Sequence, residues 1–174
     1  MKIKIKILRT VVLLQKKNLI VSVLYLFLFF LGFYLIIWSP LYYCFLEKFD
    51  IVYMPTPNET IMKESFFKKF LSVVIIAPLL ETLISQKWLY RLMSSIVWFR
   101  KNKILIVIIG GVIFGLLHSY SLSYIVFNCF TGTLFMLTYI IRIGNKPYFT
   151  VAALHGLMNL FAIIIDPIET MIFK

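Results

Sequence analysis

At 174 residues the chain is long enough for one small domain, and 61% of its residues are hydrophobic while only 14% are charged. Soluble domains average about 45–50% apolar and about 25% charged residues, so this composition excludes an ordinary soluble domain and indicates a membrane protein. The net charge of +11 does not indicate a nucleic-acid-binding protein, because the basic residues lie in short patches between hydrophobic segments, where anionic lipid headgroups are the expected partner.

The first hydrophobic run covers about residues 19–38, which is enough to cross a hydrocarbon core of about 30 Å. A Lys-rich head precedes this run and no small-residue cleavage site follows it, so we interpret it as an uncleaved anchor helix. Residues 39–66 are more polar and contain three prolines, which predicts a loop with at most a short interfacial helix. We therefore divide the chain into residues 1–66, with the basic segment, anchor helix and loop, and residues 67–168, which form the core domain.

Four further hydrophobic runs follow in the core domain. They cover about residues 69–86, where a helix is expected to continue to about Met93, and about residues 104–120, 122–141 and 148–165. Each run must be helical, because lipid offers no hydrogen-bond partner to an open backbone. The predicted fold is an all-α membrane bundle of about five transmembrane helices, namely a four-helix core and the N-terminal anchor helix.

The basic residues also predict an orientation. With the N-terminus inside, thirteen Lys and Arg residues lie on the inner side of the five spans and five lie on the outer side. Because cytoplasmic connections are enriched in Lys and Arg, this distribution favours a cytoplasmic N-terminus in a multi-pass protein of the cell membrane.

The most informative polar residues in the apolar runs of the core domain are Glu81, His118, His155 and Asn159. Glu81 is the only acid in a long apolar run, and the two histidines are the only ones in the chain. A charged group at mid-membrane costs about 2.5–3.5 kcal/mol on insertion scales, so such residues usually serve a function. A single histidine of this kind is as often a core residue, and polar side chains also join membrane helices, but the complete set favours a reaction site.

Helical spacing places these residues on shared faces. Phe114 and His118 are four residues apart, as are His155 and Asn159, so each pair lies on one side of its helix. Small residues that allow helices to approach closely accompany them: Gly110, Gly111, Gly115, Gly132, Ala152, Ala153 and Gly156. We therefore expect the polar set to face the centre of the bundle, with Phe114 packing beside it.

Three short motifs carry a family resemblance. Glu81 with Thr82 and Gln86, then Phe114-Gly-Leu-Leu-His118, then His155-Gly-Leu-Met-Asn159 resemble the successive Glu-Glu-x-x-x-Arg, Phe-x-x-x-His and His-x-x-x-Asn motifs of the CAAX prenyl protease / Abi (CPBP) family. The resemblance covers about residues 70–165 and implies a glutamate-dependent intramembrane protease that cuts near a membrane-held peptide terminus. The second Glu and the Arg of the family pattern are here Thr82 and Gln86, for which we expect a hydrogen bond in place of the ion pair.

The residue types support the same chemistry. Peptide hydrolysis needs a base that activates water and donors that hold the developing oxyanion. Glu81 is the candidate base, His118 is expected to share the water, and His155 with Asn159 is expected to donate to the oxyanion. The substrate is a membrane-associated peptide or protein in the lipid bilayer, either prenylated at its C-terminus or a secreted precursor, and nucleic acid is not expected.

Two alternatives remain open at this point. Glu81, His118 and His155 match a catalytic His₂Glu zinc set by residue type, although no local His-Glu-x-x-His motif is present, so we expect no cofactor and keep zinc as the alternative. A small basic membrane protein could also act without catalysis, as a bacteriocin immunity factor or membrane scaffold. Replacing Glu81 by Gln separates an enzyme from a scaffold.

Overall fold

The structure, a computed structural model, describes residue 12 and residues 14–52 and 65–173, so residues 53–64 of the predicted loop lie outside it. In chain order its helices are α1 (Leu19–Phe49), α2 (66–95), α3 (Val97–Lys101), α4 (Lys103–Leu116), α5 (Leu122–Ile141) and α6 (Pro147–Phe173). An isolated β-bridge joins Val52 to Ser121. The described chain is thus the all-α membrane bundle that the hydrophobic pattern predicts.

Side chains at the helix starts explain where the helices begin. The side chain of Asn18 accepts a hydrogen bond from the amide of Val21 at 2.9 Å and caps α1, and Ser121 caps α5 in the same way by accepting from Tyr124. α6 opens with Pro147, whose fixed φ suits the first helical position. Two side-chain caps and one proline therefore mark the starts of these three helices.

Within the described residues, three helical stretches are long and apolar enough to cross a membrane: Leu19–Phe49, Leu122–Ile141 and Pro147–Ile165. The second predicted span lies within α2, which is helical through Met93 as expected and ends at Ser95. The third predicted span, about residues 104–120, is longer than the helix that forms there. α4 ends at Leu116, and its 14 residues extend only about 21 Å. Exposed large apolar side chains lie along α1, α2, α4 and α5, as expected for surfaces that face lipid.

The predicted loop after residue 38 is wrong in its first part, because α1 continues as helix to Phe49. The wide turns of Tyr34–Trp38 and Tyr42–Leu46 flank the segment that contains Pro40. A proline inside a helix lacks a donor and presses on the carbonyl four residues earlier, and a widened π turn relieves both problems locally. The helix therefore passes through Pro40 instead of stopping there.

Arg142 ties the start of α1 to the end of α5. Its side chain is 1% exposed and its Nη1 donates to the carbonyls of Leu14 and Lys17, both at 2.7 Å, and to Ser22 Oγ at 3.1 Å. The charge pattern counts Arg142 among the inner-side residues, but burial excludes it as a headgroup contact. It instead holds the segment before α1 against the bundle, and α1 itself packs on α6.

Glycines bring α4 and α5 into backbone contact. A Cβ atom on Gly115 would lie 2.7 Å from the carbonyl oxygen of Ile125, and one on Gly111 would lie 2.8 Å from that of Cys129. Gly132 on α5 faces Phe114 in the same interface. The backbone of α5 cannot yield as a flexible side chain would, so α4 is held at a distance that only glycine permits.

We expect Gly115→Val to lower the free energy of unfolding by about 1–3 kcal/mol, because the added atoms force α4 and α5 apart. Gly32→Val is the matched control, since nothing lies within 4 Å of a Cβ at Gly32 and the helical position is otherwise equivalent. Detergent-titration unfolding of the purified variants measures the difference. Equal effects at the two glycines would contradict the close packing of α4 on α5.

Candidate active site

Glu81, His118 and His155 meet from three parts of the chain. Glu81 Oε2 on α2 lies 3.5 Å from His118 Nε2, just after α4, and 3.6 Å from His155 Nε2 on α6. The exposed fractions of the side chains are 36% for Glu81, 17% for His118 and 6% for His155. Glu81 and His118 therefore lie nearer the surface of the bundle than His155, although Glu81 Oε2 itself is buried.

The backbone of α2 is irregular on both sides of Glu81. Phe70–Ile76 and Leu83–Trp88 are wide π turns, and the short α-helical segment Ala77–Thr82 between them contains Pro78 and Glu81. Wide turns of this kind change the direction in which the following side chains point and are frequent at functional sites. Glu81 therefore points toward α6 from a helix whose register has been shifted locally.

The same irregularity leaves the carbonyl of Val73 without a backbone donor. The amide of Ala77 donates to Ser72 in the wide turn, so the next donor in that register would be residue 78, and Pro78 has no N–H. Asn159 of α6 supplies the missing hydrogen bond, because its Nδ2 donates to Val73 O at 2.9 Å. The amide of Asn159 thus joins α6 to α2 one helical turn from His155.

Gly156 completes this contact between α2 and α6. A Cβ atom at Gly156 would lie 2.5 Å from the carbonyl oxygen of Val74, so any other residue would push α6 away from α2. The close approach brings His155, the residue before Gly156, within reach of Glu81. Pro78, Gly156 and Asn159 therefore act together to set the distance between the carboxylate and His155.

His118 has a fixed proton position on one ring nitrogen. Its Nδ1 lies 2.8 Å from the carbonyl oxygen of Phe114, which can only accept, so Nδ1 carries the hydrogen. In the neutral ring Nε2 then presents a lone pair to Glu81. The ring also packs on Phe114, with centroids 4.4 Å apart.

His155 has the opposite arrangement. Its Nδ1 is buried and has no hydrogen-bond partner among the described residues, and its ring lies 4.8 Å from that of Phe135 and 5.6 Å from that of Phe114. A buried N–H without an acceptor is rarer and costlier than an unpaired acceptor, so the neutral ring favours the hydrogen on Nε2. The two histidines thus present one acceptor and one donor toward the same carboxylate oxygen.

Thr82 and Gln86 do not form the hydrogen bond that we expected. Both residues are 0% exposed, and Thr82 Oγ1 and both polar atoms of the Gln86 amide lack hydrogen-bond partners in the described part of the chain. The expected bond is wrong because the wide turn Leu83–Trp88 separates the two residues and changes their relative direction. Phe114, which the sequence predicts to pack beside the polar set, is 1% exposed and contacts both histidine rings.

An apolar groove of about 280 Å³ adjoins the site between α2 and α4. Its lining includes Ser85, which lies one helical turn after Glu81, and Leu117, which precedes His118. The remaining lining is hydrocarbon and indole: Ile84, Trp88, Leu89, Leu92 and Ile113. The groove therefore lies beside the site, although neither Glu81 nor His118 is among its lining residues.

Among the described residues, no group of three or more His, Cys, Asp or Glu side chains is arranged to hold a metal ion. Glu81, His118 and His155 have the residue types of a zinc set, and zinc stays the alternative to metal-free catalysis.

Sequence reasoning missed Pro78 and the Val73 carbonyl as parts of the site. The signal was present, because a proline within a run of apolar residues three positions before the acid implies an unpaired carbonyl nearby. What the sequence does not give is which of the core helices approaches that carbonyl.

Comparison with protein families identifies the chain. A family model described as Rce1-like, type II CAAX prenyl endopeptidase, matches residues 63–161, which is more than half of the sequence. The chain therefore belongs to this family, as the three motifs indicated, and Glu81, His118, His155 and Asn159 all lie in the matched range. Comparisons with curated proteins and with solved structures find no match. Membership supports a CAAX-type intramembrane endopeptidase in general terms.

We expect Asn159→Leu to lower the free energy of unfolding by about 1–3 kcal/mol, because the Val73 carbonyl then has no donor. Pro78→Ala restores a backbone N–H at position 78, so the same Asn159 change should cost less in that background. Detergent-titration unfolding of the four proteins in this double-mutant cycle measures the coupling, which should be at least about 0.5 kcal/mol.

Asn102→Leu is the control for this cycle. The Nδ2 of Asn102 also donates to a backbone carbonyl at 2.9 Å, that of Trp98, but at an exposed position far from Pro78 in sequence. The change in the free energy of unfolding caused by Asn102→Leu should be the same with and without Pro78→Ala. Strict additivity of the Asn159 and Pro78 changes would show that Asn159 does not replace the missing donor.

Proposed function

We propose that this Rce1-like chain hydrolyses a peptide bond in a membrane-associated peptide, with Glu81 as the base that activates water. The observation that carries the proposal is the position of Glu81 Oε2, which lies 3.5 Å and 3.6 Å from the Nε2 atoms of the two histidines. These distances exceed a direct N–H···O bond of about 2.7–3.2 Å, yet all three groups are close enough to engage one common oxygen atom.

The proton positions assign different roles to the histidines. Nε2 of His118 accepts, so His118 orients the attacking water together with Glu81, which takes the water proton as the C–O bond forms. Nε2 of His155 donates, so His155 stabilises the negative charge on the former carbonyl oxygen. The proton then passes from Glu81 to the leaving nitrogen as the C–N bond breaks, which returns the carboxylate to its starting state.

Asn159 has a different role in this proposal from the expected one. Its Nδ2 donates to Val73 O, which makes it a positioning residue that holds α6, and with it His155, against α2. The developing oxyanion is therefore met by His155, and Asn159 acts through it.

The groove between α2 and α4 suggests how substrate is held. Its hydrocarbon lining suits an apolar part of the substrate, and Ser85 and Leu117 place that part beside Glu81 and His118. A peptide anchored in the bilayer by a lipid or by its own apolar segment would reach this groove laterally. Both substrate classes named above, the prenylated terminus and the secreted precursor, meet this requirement, and the cell-membrane location with a cytoplasmic N-terminus stays a prediction.

Glu81→Gln should reduce cleavage of membrane-anchored reporter peptides by about 10²–10⁴-fold, because the amide cannot take the water proton. Glu47→Gln is the matched control, since Glu47 is an exposed acid at the end of α1. Cleavage by purified protein in lipid nanodiscs, with and without a chelator, is the measurement. Survival of wild-type activity under chelation supports the proposal, whereas loss on chelation and recovery with zinc would replace it with a metalloprotease mechanism.

Absence of cleavage in this experiment would separate an enzyme from a non-enzymatic protein. If no peptide of a broad panel is cleaved and Glu81→Gln retains the cellular function of the protein, the enzyme proposal is wrong. A non-enzymatic immunity or scaffold role would then account for the chain.

The two histidines should respond differently to replacement by Gln, whose amide can donate but cannot take up a proton. We expect His155→Ala to lose about 10²–10³-fold in kcat, the usual effect of removing one oxyanion donor, and His155→Gln to recover part of that loss. His118→Gln should recover less of the activity lost in His118→Ala, because the Gln oxygen can accept from the water but the amide cannot assist the transfer of its proton to Glu81. Recovery by Gln at position 118 and none at position 155 would reverse the assigned roles.

A further inference from the structure

Asp50 bonds the end of α1 to the start of α5. Its Oδ1 accepts from the backbone amide of Ser123 at 2.8 Å, and its Oδ2 accepts from the hydroxyls of Ser121 at 2.9 Å and of Ser123. Tyr42 also donates to Oδ2, at 3.4 Å. One half-buried carboxylate therefore joins residues that lie more than seventy positions apart in the chain.

The backbone on either side of Asp50 strengthens the same junction. The amide of Leu122 donates to the carbonyl of Ile51 at 3.0 Å, and Val52 forms the isolated bridge with Ser121. Partial burial alone would raise the pKa of Asp50, but the hydrogen bonds from Ser123 and Ser121 outweigh it and hold the pKa below its ordinary value. The carboxylate is thus charged at neutral pH, at the helix end where negative charge is favourable.

This junction borders the turn that holds His118. Residues 117–120 connect the end of α4 to Ser121, so His118 lies three residues before the cap of α5. The His118 ring is fixed on one side by its bond to Phe114 and faces the ring of Tyr124, in the first turn of α5, at 6.3 Å on another. Movement of the α5 start therefore moves both the backbone and one ring neighbour of His118.

We propose that Asp50 is a positioning residue for His118, which it acts on by fixing the first turn of α5 and the connection from α4. The proposal rests on the function proposed above for His118, but the position of the ring is measurable without any substrate. Asp50 lies outside the range 63–161 that the family model matches, so this contact extends the site beyond the family core.

The chain is well suited to a direct test, because it contains only two histidines. Protein labelled with ¹⁵N-histidine and held in lipid nanodiscs gives one set of ring signals for each, and His155→Gln assigns them. We expect Asp50→Asn to shift the His118 ring signals and to leave those of His155 unchanged. Ser123→Ala, a milder change that removes one hydroxyl donor to Asp50, should shift the His118 signals in the same direction by less.

Glu47→Gln is again the matched control, because it removes a negative charge from the same end of α1, while the described hydrogen bonds to Ser121 and Ser123 come from Asp50 and not from Glu47. Its spectrum should equal that of the wild type. A His118 shift of equal size in Glu47→Gln would show a general charge effect and overturn the proposal. So would unchanged His118 signals in both Asp50→Asn and Ser123→Ala, or equal shifts of both histidines, which would indicate loosening of the whole bundle.

The kinetic constants of peptide cleavage provide a second test of the positioning role. Asp50→Asn should lower kcat by about ten- to a hundredfold, the scale of a misplaced catalytic group, with a smaller change in KM, because Leu117 alone of the groove residues lies in the connection that Asp50 fixes. If the Glu81 experiments show no protease activity while the His118 signals still depend on Asp50, the proposed function fails and the positioning role stands. A rise in KM with kcat unchanged would assign Asp50 to substrate binding and contradict the proposal.

Discussion

The carbonyl of Val73 has no backbone donor, and the side chain that supplies one determines where the candidate site lies. Within a bilayer an unpaired carbonyl costs several kcal/mol, so a helix interrupted by Pro78 requires a neighbour that compensates for it. α6 does so with Asn159, and Gly156 allows the approach that the hydrogen bond needs. This contact also fixes the position of His155 relative to Glu81. The irregular backbone of α2 therefore determines the arrangement of the reactive side chains.

The two histidines differ because their second ring nitrogens have different neighbours. A backbone carbonyl holds the hydrogen of His118 on Nδ1, whereas Nδ1 of His155 lies against aromatic rings without a described acceptor. Phe114 contributes to both environments, since its carbonyl binds one ring and its side chain contacts both. A single aromatic residue thus helps to distinguish an acceptor from a donor around one carboxylate, which is the division of roles that water activation and oxyanion binding require.

Much of the fold and the family could be predicted from the sequence, because both depend on patterns of single residues. Apolar runs of sufficient length predict helices in a membrane, and three short motifs with the only intramembrane acid and the only histidines predict the family. The continuation of α1 beyond Pro40 could not be predicted, because relief of a proline by widened turns depends on what packs around it. The predicted hydrogen bond between Thr82 and Gln86 was wrong for a related reason, since a spacing of four residues places two side chains on one face only in a regular α-helix. The partner of Asp50 is likewise a tertiary contact that no local pattern encodes.

The N-terminal helix is joined to α5 at both of its ends, although it precedes the range that the family model matches. Arg142, at the end of α5, donates to carbonyls at the start of α1, and Asp50, at the end of α1, accepts from the first turn of α5. Each charge lies at the terminus of α5 where the helix dipole stabilises it, by about 0.3–1 kcal/mol for an exposed group and more for a buried one. The two contacts require α1 and α5 to run in opposite directions. Since His118 lies three residues before the cap of α5, the position that Asp50 imposes on the start of α5 extends to His118, whereas His155 packs on Phe135 in the middle of that helix.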